Sequence, residues 1–534
     1  MAVHSDADGS ARHVRVADEA IHLPGVAPVD TYLNVEGLLE AAGSAGAQAI
    51  HPGYGFLSEN ADFAEAVTNA GFVWIGPPAG AIRTLGDKVR ARNLAHSAGV
   101  PIVPGVLEPV ETVAVLRDFA REHGFPVAIK AARSGGGRGL KVAQSEEEIE
   151  DAFNSARREA EAYFGSSDVY VEKYLEAPKH LEVQILAPNP DEALWLGVRD
   201  CSLQRRHQKL VEETPPPRWV ERAPEMGEAA VALSKACGYV NAGTVEMLVD
   251  EEGCFYFLEV NARLQVEHTV TEAVLGLDLV ACQLQIAAGE PTGVSQAGVE
   301  AHMHGHAIEC RINAEDPARG FLPAAGKIDR YEEPGGLGVR VDSGYVAGDT
   351  IPDAYDSLIS KVIAWGNDRE EARARMLRAL RDYVIEGPQT TIPAHLVLLE
   401  ERSFVAGTHT TRTVEDSDAL DILTVTGEAT EEEDVLLVDG RPIRLWHASM
   451  SASASAAVHG GAPSTGEIVA PMQGTIVRVL VMEGDEVEAG AALVLLEAMK
   501  METSLTAQHA GTVVEVAVTA GQTAQAGQML VRIE

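Results

Sequence analysis

The tail of this 534-residue chain repeats itself. Gly474-Thr475, Val477, Val479, Val481, Gly484, Gly490, Leu493-Val494 and Glu497 return as Gly511-Thr512, Val514, Val516, Val518, Gly521, Gly527, Leu530-Val531 and Glu534, each 37 residues further on. Each copy alternates apolar and polar residues and breaks at glycine, the pattern of short half-buried strands joined by turns that need positive φ. Two copies of one such unit predict a two-fold all-β sandwich. Lys500, between Met499 and Met501, falls just after the first copy, in the connection to the second. In a sandwich of this kind that connection is an exposed hairpin tip, which holds the amine out where another enzyme can reach it. A solvated surface position is the default for any single lysine. The duplication around this one, and its two methionine neighbours, argue for more.

Length and charge bound the rest. The chain is too long for one core and predicts about three to five domains at roughly 150 residues each. With 42 Lys+Arg against 80 Asp+Glu the formal net charge is −38, which argues against nucleic-acid or anionic-membrane partners. A local basic cluster can still bind phosphates, so nucleotides stay open. Five scattered cysteines without CxxC spacing read as reduced thiols. No apolar run reaches membrane-spanning length and no signal-peptide pattern is present. A soluble, cytoplasmic protein is expected.

In chain order, a predicted helix over Tyr32 to Ala42 precedes the strand-like Ala47-Gln48-Ala49-Ile50 and the loop His51-Pro52-Gly53-Tyr54-Gly55-Phe56-Leu57-Ser58-Glu59-Asn60. Alternating strands and helices imply a parallel α/β layer. Gly86-Asp87-Lys88 follows, then the strand Val127-Ala128-Ile129-Lys130 and Ser134-Gly135-Gly136-Gly137-Arg138-Gly139. Successive glycine N–H groups can cradle an anion. Alone this loop is a weak signal, being neither of the common nucleotide-loop patterns. Next come Glu172-Lys173-Tyr174-Leu175, Arg205-Arg206-His207-Gln208-Lys209, Glu246, and Glu259-Val260-Asn261-Ala262-Arg263-Leu264-Gln265-Val266-Glu267-His268. Phe255-Tyr256-Phe257-Leu258 reads as a buried strand delivering Glu259 at its end. Glu246, Glu259 and the carbonyl oxygen of Asn261 form a hard-oxygen set suited to Mg²⁺ or Mn²⁺. Solvated surface acids are the bland alternative. Strand alternation places Asn261, Arg263, Gln265 and Glu267 on one polar face directly after an apolar strand.

Beyond His304 lie Glu309-Cys310-Arg311-Ile312-Asn313-Ala314-Glu315-Asp316-Pro317, Pro334-Gly335-Gly336-Leu337-Gly338-Val339-Arg340 and Tyr355-Asp356-Ser357-Leu358-Ile359-Ser360-Lys361. From Glu415 to Asp434 there are nine acids and no Lys or Arg, the composition of a solvated linker. Asp434 to Trp446 reads as a hairpin turning at Asp439-Gly440. Ser449 to Gly466 is Ser/Ala/Gly/Pro-rich and predicts a flexible tether. A tether raises the effective concentration of Lys500 at an upstream site, provided it spans the gap.

These motifs carry a resemblance. Ala498-Met499-Lys500-Met501, with Pro471-Met472 upstream, resembles the biotinyl domain of biotin-dependent carboxylases; the related lipoyl domain usually presents Asp-Lys-Ala at the tip. The His51 to Asn60 loop with Gly76-Pro77 resembles the biotin carboxylase N-terminal domain. Lys88, Lys130 with its glycine loop, and Glu172 to Leu175 are similar in order to the ATP-grasp fold, and the Arg311 block is similar to the biotin carboxylase C-terminal domain. The expected organisation is multidomain α/β and α+β: 1–85 a truncated Rossmann-like pre-ATP-grasp domain, 86–293 ATP-grasp, 303–413 the C-terminal domain, 414–466 linker with a small hairpin, and 467–534 the biotinyl sandwich. Set against that family, about one βα unit with its Ala-Asn-Arg-Gly-Glu segment is missing before Met1. A valine codon taken as a start would produce this; mass spectrometry of the native protein would then find a longer N-terminus.

By resemblance, Lys88 and Lys130 contact ATP phosphates and Gly136 and Gly137 belong to a lid. Glu172, Lys173 and Leu175 hold the adenine and ribose side, with His180, Gln204 and His207 nearby. Glu246, Glu259 and Asn261 take the metal. Glu267 is the base that activates bicarbonate, held by Lys209 and Arg263 and positioned by Gln265 and the Val266 backbone. ATP activates bicarbonate as carboxyphosphate, and Arg311 stabilises the ureido oxygen of biotin carried on Lys500. No further domain of useful size remains for acyl-CoA. The implied protein is the α subunit of a bacterial acyl-CoA carboxylase, acting on acetyl- or propionyl-CoA through a separate carboxyltransferase β subunit in a hetero-oligomer, and modified by biotin protein ligase. Two alternatives stay open: a biotinylated scaffold whose carboxylase region is inactive, and a different ATP-grasp ligase fused to a carrier.

Overall fold

The computed structural model describes every residue except 107–108, 132–139, 165–166, 421, 424–434, 439–440, 445–465, 471–473, 499–500, 508 and 525–526. The middle of the chain is organised by one eight-stranded sheet. Its strands are β1 (Lys179–Asn189), β2 (Glu192–Arg205), β3 (Gln208–Thr214), β4 (Asn241–Val249), β5 (Phe255–Asn261), β6 (His306–Asn313), β7 (Val339–Ser343) and β8 (Leu358–Gly366). They lie in the order β5-β4-β1-β2-β3-β6-β8-β7, with all neighbours antiparallel. The β3–β6 pairing, with Val211 opposite Cys310 and Glu212 opposite Glu309, joins the two halves. The ATP-grasp-like region and the block after His304 thus share a continuous hydrogen-bonded ladder.

Apolar residues explain where the sheet is covered. Leu181, Val183, Val198, Val245 and Met247 pack against Met226 and Leu233 of the helix Ala223–Ala236. At the other end Leu203, Leu210, Ile308 and Ile312 pack with Met376, Leu380 and Leu398. Between these cores the sheet carries Glu182, Arg199, Glu212, Glu246 and Glu309, all buried. Helix α1 (His268–Leu275) packs against β2, β3, β6 and β8. It stops at Gly276, whose φ of 63° is the left-handed conformation of a helix C-terminal glycine.

Two smaller units flank the sheet. Val127–Ala131 is the middle strand of three, between Leu140–Ala143 and Val169–Lys173, and its apolar side packs on Leu116, Phe119 and Phe153. Near the N-terminus, Ala2–His4 pairs in parallel with Ala20–His22, and Ala49–Ile50 with Val73–Trp74. Parallel pairing is what the strand–helix alternation predicts. The helix expected from Tyr32 begins at Val35, because the Asn34 side chain accepts from Gly37 N at 3.0 Å and caps it. The strand expected from Ala47 is confined to Ala49–Ile50.

The tail forms two four-stranded sheets with a shared core of Ile476, Val494, Leu496, Val513, Val531 and Ile533. Gly474–Val479 and its repeat Gly511–Val516 lie in different sheets, each copy supplying strands to both. The paired turn glycines adopt matching positive φ: 95° and 86° at Gly484 and Gly521, 87° and 77° at Gly490 and Gly527. An L side chain is strained there, so Gly521→Ala should destabilise the carrier unit by about 1–2 kcal/mol. Hydrogen exchange of the tail strands in the full chain measures this. Strand Ala492–Ala498 pairs with Met501–Thr506, while Lys500 lies outside the described residues.

Three expectations need correction. Strand β5 runs on to Asn261, and of the expected buried run Phe255 to Leu258 only the alternate Phe255 and Phe257 are buried, Leu258 being 42% exposed. Strand alternation does not align Arg263, Gln265 and Glu267, because the chain leaves the sheet after Asn261 and crosses to α1 as a loop. The linker does not begin at 414: Thr413–Asp416 is helical and Val414 is buried in the core of the C-terminal block. The expected hairpin is present as Val435–Val438 against Arg441–Arg444. Among the described residues no single helix is long and apolar enough to cross a membrane.

Candidate active site

The buried charges of the central sheet converge on Lys209. Its strand β3 follows β2 through a tight turn in which Arg206 and His207 have φ of 48° and 67°. Lys209 Nζ donates to Glu182 Oε2 at 2.7 Å, Glu246 Oε1 at 2.9 Å and Glu267 Oε1 at 2.6 Å. Burial opposes its charge, but the carboxylates around it, Glu182, Glu246 and Glu267, hold the ammonium well above its usual range.

Glu267 is the bridge of the site. Its second oxygen, Oε2, accepts from Arg311 Nη2 at 2.8 Å, and Arg311 Nε donates to Glu212 Oε1 at 2.6 Å. Burial alone would raise the Glu267 carboxyl; Lys209 and Arg311 outweigh it and keep it ionised. Arg311 is fixed from behind, since its backbone oxygen accepts from Thr391 Oγ1 at 2.9 Å and from His395 Nε2 at 2.6 Å. Burial pushes His395 down to about 4, so the ring is neutral and donates through that nitrogen.

The loop before α1 reaches the same cluster through side-chain amides. Arg263 Nη1 donates to Gln265 Oε1 at 2.8 Å, and Gln265 Nε2 donates to Glu246 Oε1 at 3.0 Å and to Asn261 Oδ1. Arg263 Nε also donates to Glu59 Oε2 at 3.1 Å. The Val266 carbonyl accepts from Lys361 Nζ at 2.7 Å. Arg263 thus touches Gln265 and Glu59 here, and Lys209 and Arg311 are the cations on Glu267.

On the expected metal side, Glu246 and Glu259 are cross-strand partners of β4 and β5, so their side chains share a face. Burial and the charge of Glu246 raise the Glu259 carboxyl, with Lys88 opposing. A divalent cation between hard oxygens relieves that repulsion, and these residues fit one. His180 Nε2 lies 3.0 Å from Glu246 Oε2; burial opposes its protonation, yet the neighbouring Glu246 raises its pKa. His180 therefore joins the acid cluster.

The nucleotide residues are spread over several elements. Lys130 contacts Glu172, whose Oε2 also accepts from Arg92 Nη1 at 3.0 Å. Lys88 opens the helix Lys88–Ser97, capped by Asp87. Lys173 N donates to Pro104 O at 2.9 Å, and Leu175 is half-buried. Gln204 is buried directly across from Lys209, while His207 is exposed at the turn. Gly136 and Gly137 lie outside the described residues.

Comparison with known proteins fits this arrangement. Residues 1–82 match the biotin carboxylase N-terminal domain, 87–294 the carbamoyl-phosphate synthase L chain ATP binding domain, 309–416 the biotin carboxylase C-terminal domain, and 466–533 the biotin-requiring enzyme family. The chain is 44% identical over 540 residues to the biotin-dependent acyl-coenzyme A carboxylase alpha3 subunit of Mycobacterium leprae, covering 95% of this chain and 90% of that one. It belongs to the biotin-dependent carboxylases. Biotin carboxylase 1 of Bacillus subtilis is 49% identical over 79% of this chain and 93% of its own. Among solved structures, the biotin carboxylase domain of Hydrogenobacter thermophilus 2-oxoglutarate carboxylase, in complex with MgADP, ADP and bicarbonate, superposes with a TM-score of 0.71 at 44% identity, covering 78% of this chain and 92% of that one. The protein joins a biotin carboxylase, with its ATP binding domain, to a domain of the biotin-requiring family.

Sequence reasoning passed over Glu182, Arg199, Glu212, Glu309 and Lys361. The available signal was a polar or charged residue recurring at alternate positions of a largely apolar run: Glu182 and Gln184 in β1, and Glu309 and Arg311 in β6. Arg199 in β2 has no such pattern around it.

Proposed function

We propose that this carboxylase is the α subunit of an acyl-CoA carboxylase. It carboxylates biotin carried on Lys500 with ATP and bicarbonate. The carboxyl group then passes to acetyl- or propionyl-CoA on a separate carboxyltransferase subunit in a hetero-oligomer, in the cytoplasm. The mycobacterial relative supports this, because the likeness runs through the carrier region as well as the carboxylase. Biotin protein ligase is the expected modifying enzyme. The observation that carries the catalytic part is Glu267, fully buried with one oxygen on Lys209 and the other on Arg311.

Glu267 is the base that takes the bicarbonate proton. While both cations hold it, the carboxylate is stored ionised but weakly basic. When Arg311 turns toward an incoming oxyanion, one stabilising partner leaves and Glu267 becomes a stronger base where the substrate sits. Lys209 and Arg263 orient the anion and Gln265 fixes the loop that carries Glu267. Arg311 also serves the ureido oxygen as it gains negative charge. Lys88 and Lys130 offset charge on the transferred phosphoryl group, and Glu172 steers Lys130. Bound at Glu246, Glu259 and Asn261, Mg²⁺ supplies charge neutralisation on the nucleotide phosphates.

Lys500→Ala should abolish the avidin-blot signal and leave bicarbonate-dependent hydrolysis of ATP with free biotin intact. A parent chain without that signal rejects the carrier role, whereas an active carrier with no hydrolysis identifies a scaffold. Purifying the tagged chain from its host identifies the subunit that chooses the acyl group.

A further inference from the structure

Two acids in the centre of the molecule have no part in the mechanism above. Glu212 and Glu309 are cross-strand partners at the join between the two halves of the sheet, and both are fully buried. Glu212 Oε1 accepts from Arg311, and Glu309 Oε2 accepts from the Thr269 hydroxyl. Their other oxygens, Glu212 Oε2 and Glu309 Oε1, have no hydrogen-bond partner among the described residues. An ionised carboxylate buried with an empty oxygen is costly, and two of them on one face repel as well. One proton relieves both penalties.

We propose that Glu212 and Glu309 share one proton, and that Glu212, by gaining or losing it, sets how firmly Arg311 is held away from a bound oxyanion. With the proton present, Glu212 is a neutral acceptor and Arg311 is free to swing to bicarbonate. When the O–H bond breaks and the proton leaves to solvent, Glu212 becomes a full counter-ion and retains the guanidinium. Glu212 is thus a positioning residue that acts through Arg311, a role resting on the reading of Arg311 as a substrate contact.

The surroundings agree. Burial pushes Glu212 up to about 8 against the pull of Arg311, with Glu309 and Glu267 adding repulsion. Burial raises Glu309 as well, opposed by Lys361, Thr269 and Arg311. The charged groups around the pair are Arg311, Glu267, Lys209 and Lys361. Cys201 and Cys310 also neighbour the pair, and burial keeps both thiols protonated; Tyr54 lies near Glu309 and its hydroxyl is pushed up by desolvation. For stability the sign is fixed: the folded chain keeps a proton that the unfolded chain releases in the usual carboxylate range. The Glu212 contribution is therefore complete below that range and lost as pH rises through about 8.

The test uses the full chain with two readouts. In bicarbonate-dependent ATP hydrolysis, the parent KM for bicarbonate should rise about tenfold between pH 7 and 9, the ratio of protonated fractions for a group titrating near 8. Glu212→Gln, a permanent mimic of the neutral acid, should flatten that rise. In the infrared, the parent at pH 7 should show a buried carboxylic-acid carbonyl band that fades as pH passes 8 and is weakened in Glu212→Gln. An unchanged KM slope in the variant, or no carboxylic-acid band in the parent, overturns the proposal. If the parent lacks bicarbonate-dependent hydrolysis altogether, the functional reading fails separately and the infrared band still decides whether the proton is there.

Discussion

Glu267→Ala should lower bicarbonate-dependent ATP hydrolysis by about 10²–10⁴-fold while leaving biotin attachment at Lys500 intact. Glu267 joins Lys209 and Arg311 through its two oxygens, and no other described carboxylate contacts both. Its removal strands neither cation. Lys209 keeps Glu182 and Glu246, and Arg311 keeps Glu212, so the sheet should still assemble. Glu267→Gln separates base from scaffold: the amide preserves size and can accept one hydrogen bond, but cannot take a proton at neutral pH. If Glu267 is the base, both variants are equally inactive and both still bind avidin. Hydrolysis retained in Glu267→Gln would leave Glu267 with a structural role only.

How far the sequence foretold this molecule depends on the range of the interaction involved. Local rules did well in the tail. The 37-residue repeat predicts a two-fold sandwich, and Gly484 and Gly521, and Gly490 and Gly527, take the positive φ that the repeat required. Strand–helix alternation likewise anticipates the parallel pairs near the N-terminus. Non-local pairing was hidden. Nothing in the text of β3 or β6 says that they are neighbours, since register is chosen by burial and turns distributed over the whole sheet. The loop carrying Arg263, Gln265 and Glu267 has the alternation of a strand without being one; its order comes from the hydrogen bonds of Arg263, Gln265 and Asn261. Arg199 was illegible for the same reason, and Glu182 left only a weak signal. A charge inside an apolar strand reads as a surface residue until the strand opposite supplies its counter-ion.

Arg199→Leu should have the largest effect on stability, because Arg199 is fully buried and four groups depend on it. Its Nε donates to Glu182 Oε1 at 2.5 Å and its Nη1 to Gln184 Oε1 at 2.6 Å and Thr271 Oγ1 at 3.0 Å, while Nη2 reaches Thr244 Oγ1 at 3.1 Å. Leucine removes every donor at once, leaving Glu182 to Lys209 alone. Breaking a buried pair from one side costs about 3–5 kcal/mol, and the expected readout is a matching loss in urea unfolding followed at Trp195, on the same strand. Arg199→Lys keeps the charge but loses the fork that serves Gln184 and Thr244 together, so a smaller loss is expected. The pair with Glu182→Leu is the sharper measurement. If the cost of Arg199→Leu is the uncompensated carboxylate, the double variant should recover much of it, since Lys209 then still holds Glu246 and Glu267. Simple addition of the two losses would place the penalty in the packing around Thr244 and Thr271 instead.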